Sequence, residues 1–171
     1  MAGQWRRRSV VNPGMMRRNL ILGTVLALSA GVLFMAQGSG AQDLGYWRAA
    51  SNTANAITGD IAISGTRLTI DFTGFPLVAV RALKPAEVSA VFDADVNANP
   101  SGTLYRINIP ATKLFLHRNT LCGGEDTEWM AAYASGKTLQ VAFFSGDDPP
   151  VFTMDAISHS SALCGTYVYS R

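Results

Sequence analysis

The chain has 171 residues, 48% of them hydrophobic and 15% charged, with a formal net charge of +2. The charge is divided unevenly: Arg6, Arg7, Arg8, Arg17 and Arg18 precede residue 42, and all 12 acidic residues follow it. Residues 42–171 therefore carry 9 basic and 12 acidic side chains, a balance of −3. This removes a net-charge case for nucleic acid, which needs a cationic face, and leaves no polybasic run for an anionic membrane.

The N-terminal segment reads as an address. Arg17 and Arg18 stand before an apolar run from Leu20 to Ala36, and Ser39-Gly40-Ala41 supplies small residues after it. A basic start, an apolar middle and a small-residue exit make a secretory signal peptide, so cleavage is expected after Ala41. The apolar run is short of the ~20 residues that span a bilayer comfortably, which sets an uncleaved anchor second. Met1, Met15 and Met16 are all possible starts. Arg17-Arg18-Asn19-Leu20-Ile21 also fits the twin-arginine export pattern, although paired arginines are common in general secretion signals. The expected division is an extension and signal peptide over 1–41 and one exported, secreted or periplasmic, β-rich domain over 42–171.

Beyond the leader, two-residue alternation dominates, which is the strand signal. Gly45 to Arg48 reads as a first strand. Ile57, Gly59, Ile61 and Ile63 share one face, Ser64-Gly65-Thr66 reads as a turn, and Leu68, Ile70 and Phe72 answer across it. Thr73-Gly74 reads as the next turn and Leu77 to Leu83 as a further strand. Pro85 suits the first position of a helix carrying Val88, Val91 and Phe92, and Glu87 favours its N-terminal end.

Asp93, Asp95, Asn97 and Asn99 offer oxygen at alternate positions, as in a calcium loop. Ala98 stands where that loop needs Gly, and Leu104 where it needs Glu, so a solvated turn is the expected reading and no metal or cofactor is assigned. Tyr105, Ile107 and Ile109 form another alternating set, and Lys113 to His117 a short possible strand.

Cys122 and Cys164 are the only cysteines. An even count in an exported chain predicts a disulfide, and with no C-x-x-C spacing a redox role is disfavoured. Their spacing to His117 and His159 is no zinc ladder. Trp129, Ala131 and Tyr133 face Leu139, Val141 and Phe143 across Ser135-Gly136-Lys137, a second hairpin. Thr153 to Ser160 reads as a short helix, and Tyr167 and Tyr169 alternate in a last strand. The expectation is a mainly β fold: a small antiparallel barrel or sandwich of about eight strands, with one or two short helices and one disulfide.

Catalytic signals are sparse. Glu125, Asp126 and Glu128, and Asp147 with Asp148, could serve a hydrolase only if a pocket separated their pKa values. His159, Asp155 and a serine could be drawn as a triad, but no G-x-S-x-G elbow presents a nucleophile.

Three resemblances bear on function. Ser101-Gly102-Thr103-Leu104-Tyr105 resembles the S-G-x-x-Y motif of periplasmic inhibitors of chicken-type lysozyme, small exported barrels. The likeness implies that Ser101, Gly102 and Tyr105 contact a hydrolase cleft. Gly45-x-Trp47 resembles the G-x-W start of lipocalin-like barrels, whose Trp packs across the barrel floor. Trp47 to Ser51, Ile57 to Asp60, Leu121 to Gly123, Gln140 to Gly146 and Cys164 to Thr166 together resemble a group of uncharacterised secreted bacterial proteins. The leading expectation is an exported, non-enzymatic binding protein for a protein or small apolar ligand. A small secreted hydrolase and a structural envelope component are the alternatives.

Overall fold

A computed structural model describes residues 42–171; the expected signal peptide and its cleavage point lie outside the described residues. Eight strands run in order around a closed antiparallel barrel: β1 (Gly45–Ala49), β2 (Ile61–Ile63), β3 (Arg67–Ile70), β4 (Thr73–Leu83), β5 (Gly102–Ile109), β6 (Thr127–Ser135), β7 (Thr138–Ser145) and β8 (Leu163–Ser170). Each pairs with the next, and Arg48↔Ser170 and Ala49↔Tyr169 close the barrel. The barrel rather than the sandwich is thus the architecture. Closure satisfies the edges that β1 and β8 would otherwise leave open.

Alternation decides what fills it. Trp47, Tyr105, Met130, Phe143, Tyr167 and Tyr169 point inward and are buried. The Phe143 and Tyr167 rings meet edge to face at 5.2 Å between centroids. An eight-stranded barrel has an interior just wide enough for side chains, and here aromatic rings occupy much of it.

The opposite face of β5, β6 and β7 is also covered. Leu104, Trp129, Ala131, Ala142 and Phe144 pack against Leu83, Val88, Phe92 and Phe152 in a second apolar cluster. Val88 and Phe92 come from α2 (Pro85–Phe92), which starts at its proline as expected. The Glu87 carboxylate accepts from the Lys84 backbone N–H at 2.8 Å and takes both Arg81 Nη atoms at 2.7 and 2.8 Å. That fork fixes the helix start to the end of β4. The strands of the second hairpin are therefore buried on both faces.

The first half of the barrel departs from the expected pattern in three places. The segment from Ile57 to Gly59 is not strand. It is the end of α1 (Asn52–Ile57) and the turn after it. Ser51 Oγ accepts the Ala54 N–H at 3.1 Å and also the Val168 N–H at 3.1 Å, so one hydroxyl both caps the helix and ties it to β8. The β3–β4 turn is not Thr73-Gly74 but Asp71-Phe72, since Ile70 pairs with Thr73. Phe72 consequently leaves the apolar face of its hairpin and is fully exposed. Thirdly, residues 113–117 form no strand, and a single 3-10 turn spans Leu116–Arg118. With α3 (Met154–Ser158) the described helices number three, one more than expected.

Cys122 and Cys164 are disulfide-bonded, with Cα atoms 4.8 Å apart. The bridge joins the long β5–β6 connection to the start of β8. Among the described residues no helix is long and apolar enough to cross a membrane.

Candidate functional site

The three residues of the S-G-x-x-Y motif do not converge on one accessible surface. Ser101 is exposed immediately before β5. Gly102 is buried, and a Cβ there would lie 2.6 Å from the Ala132 carbonyl oxygen, so the neighbouring β6 backbone demands glycine. Tyr105 points into the barrel and is 3% exposed.

Inside, the Tyr105 hydroxyl donates to Asp43 Oδ2 at 3.1 Å. Asp43 is 1% exposed, and its backbone carbonyl accepts the Trp47 indole N–H at 2.8 Å. Thr103 shares the inner face of β5 with Tyr105, and its buried hydroxyl acts on both Asp43 and Tyr105. Burial outweighs the Tyr105 hydrogen bond and pushes the Asp43 carboxyl up to about 6. The same burial, with the Asp43 charge beside it, raises the Tyr105 hydroxyl. This cluster plugs one part of the core and has no open access.

The oxygen-rich loop is committed to local structure through the Asp95 carboxylate and the backbone of Asp93 and Asn99. Asp95 Oδ1 accepts from the Asn97 backbone and side-chain nitrogens at 2.9 and 3.0 Å, while Asp93 and Asn99 end a helix and a 3-10 turn in left-handed conformations. Such Asx capping is what these residues do in turns.

The other acids separate. Asp126 Oδ1 accepts the Ala111 N–H at 2.8 Å. Glu128 is ion-paired with Arg106, whose guanidinium lies 4.6 Å over the Trp129 ring and donates to the Asp147 carbonyl at 3.2 Å. Trp129 itself donates to the Gly146 carbonyl at 3.0 Å, so this group pins the loop after β7 to the outer face. Asp148 alone of these carboxylates lines a cavity of about 250 Å³, together with Ser145 and Ser160. His159 is 78% exposed and its Nδ1 lies 2.9 Å from the Asp155 carbonyl and 3.5 Å from Asp155 Oδ1, contacts within one helical turn. His117 occupies a left-handed turn with Nδ1 3.1 Å from the Ala56 carbonyl.

A second concave feature carries none of those residues. On the outside of β1, β2 and β3, Tyr46 pairs with Ala62 and Ala62 with Thr69, giving a floor of small side chains beside an exposed ring. Phe72, Asp71, Asp60 and Leu116 complete a trough of about 290 Å³. The Tyr46 hydroxyl donates to Asp60 Oδ2, and Asp60 Oδ1 accepts the Ala49 N–H at 2.9 Å. The Tyr46 hydrogen bond, followed by that from Ala49, holds the Asp60 carboxyl below the usual range; the same bond to Asp60 raises the Tyr46 hydroxyl. Along β1 the exposed Tyr46 alternates with the buried Trp47. Nothing local marked Asp60, Asp71 and Phe72 as its neighbours.

Comparison with protein-family models, with curated proteins and with solved structures gives no match. The chemistry of this surface therefore rests on its own geometry.

Proposed function

We propose that this chain is an exported, non-enzymatic binding protein that meets its partner on the outer surface of the barrel. The observation that carries the reading is Phe72: a fully exposed aromatic ring at a hairpin tip, beside the 58% exposed Tyr46 and an open trough. Aromatic residues, Phe and Tyr among them, are enriched in protein interfaces relative to the rest of a protein surface. The barrel interior, filled by rings, favours a surface-bound partner over a small apolar guest. Export is supported by the leader pattern and by the disulfide, which suits an oxidising compartment.

Immobilised protein, with its disulfide intact, is expected to retain a specific partner from envelope extract or culture fluid. Retention no greater than by the reduced and denatured protein discards the reading. Inhibition of a lysozyme-like hydrolase is a narrower form of the same proposal, for which Ser101 is the exposed residue of the motif. Undiminished cell-wall lysis by chicken-type lysozyme at large excess of this protein discards that form alone.

A further inference from the structure

Phe72 occupies a costly position. Asp71 and Phe72 have φ of +46° and +59° and form the two-residue loop between β3 and β4. Both central residues of such a turn need positive φ, and glycine is favoured at the second. A bulky side chain there is strained, and this one is wholly in water, so neither the turn nor the core benefits from it.

The trough beside it combines two chemistries. Ala62, Leu116, Tyr46 and Phe72 provide apolar surface, while Asp60 and Asp71 provide two carboxylates, and no Lys or Arg is among the lining residues. Neither carboxylate belongs to an ion pair among the described residues. Arg48 acts on Asp60 only weakly, through space. Lysine and arginine side chains have the complementary construction: an apolar stem with a cationic head, the head being attracted to aromatic faces and carboxylates alike. Residues 42–171 as a whole carry three more acidic than basic groups, which adds attraction for a basic partner.

We infer that the Tyr46–Phe72 trough is the docking surface for a basic segment of a partner protein, with an arginine or lysine stem laid against Tyr46 and Phe72 and its head at Asp60 and Asp71. This rests on the binding reading proposed above and names the surface and the chemistry of the partner. Phe72 anchors the contact, which is why the strained turn tolerates it.

The test is an amide-shift titration of the purified protein with a capped Arg/Gly pentapeptide, and with its Glu/Gly counterpart. The expected result is saturable shifts at Tyr46, Asp60 to Ala62, Asp71 and Phe72 with the arginine peptide only. Affinity should fall at least tenfold in Phe72→Gly and in Asp60→Asn, each checked for unchanged amide dispersion elsewhere. Shifts scattered over the surface without saturation, or affinity within twofold of the parent in both variants, overturn the inference. A natural partner retained equally by parent and Phe72→Gly baits also overturns it, while leaving the binding reading intact; retention of no partner at all removes that reading itself.

Discussion

Replacing Asp43 by Asn tests the account of the barrel interior. Asp43 is buried with Tyr105 as its hydrogen-bond donor, and its carboxyl rises from an ordinary 3.8 to about 6. A raised acid pKa means that the folded state holds the proton more tightly than the unfolded one. The stabilisation is thus fully present below pH 4 and is lost as pH rises through about 6. At 1.36 kcal/mol per pKa unit, a rise of this size amounts to about 3 kcal/mol. Asn keeps an acceptor for Tyr105 and cannot ionise. The Asp43→Asn protein should therefore be more stable than the parent at pH 7 by up to about 3 kcal/mol, and the difference should shrink towards zero near pH 4. Urea unfolding followed by circular dichroism at half-unit steps from pH 4 to 7.5 measures it. Taking the difference between the two proteins cancels carboxylates shared by both, including Asp60 and Glu87, whose pKa values are lowered. A difference constant across that range, or an Asn variant weaker at pH 7, refutes the reasoning.

Other substitutions probe the remaining links. Reducing the Cys122–Cys164 bridge, which spans 42 residues, should cost about 4 kcal/mol by chain entropy, read as a lowered urea midpoint against the oxidised protein. Gly102→Ala should cost about 1–3 kcal/mol, because its Cβ meets the rigid Ala132 carbonyl rather than a movable side chain, and the unfolding midpoint reports it. Phe72→Gly should leave the unfolding free energy unchanged or raise it by about 1 kcal/mol, read from the urea midpoint, since relief of left-handed strain offsets the extra freedom of glycine. Trp47→Ala should cost about 3–5 kcal/mol: the ring is fully buried, donates to the Asp43 carbonyl and lies 4.2 Å beneath the Arg171 guanidinium.

Alternation along the chain was enough to place the second hairpin, the strand beginning at Tyr105 and the inward tyrosines of β8, because each strand packs an unbroken apolar face against the core. Pro85 and Glu87 placed α2, and the even cysteine pair foretold its own bridge. Short elements were less legible. The six residues of α1 hold their helix through Ser51, whose hydroxyl also reaches Val168 at the other end of the domain. The position of the β3–β4 turn depended on register: Ile70 pairs with Thr73, so Phe72 faces water where simple alternation put it inside.

The sequence by itself determined the class of fold, its staple and the acidic balance of residues 42–171, because these follow from periodicity and composition. Only the tertiary structure decided between barrel and sandwich, buried Asp43 against Tyr105, and gathered Tyr46, Asp60 and Phe72 around one trough. Those outcomes depend on strand register and on closure of β1 against β8, and both are set by contacts between residues far apart in the chain.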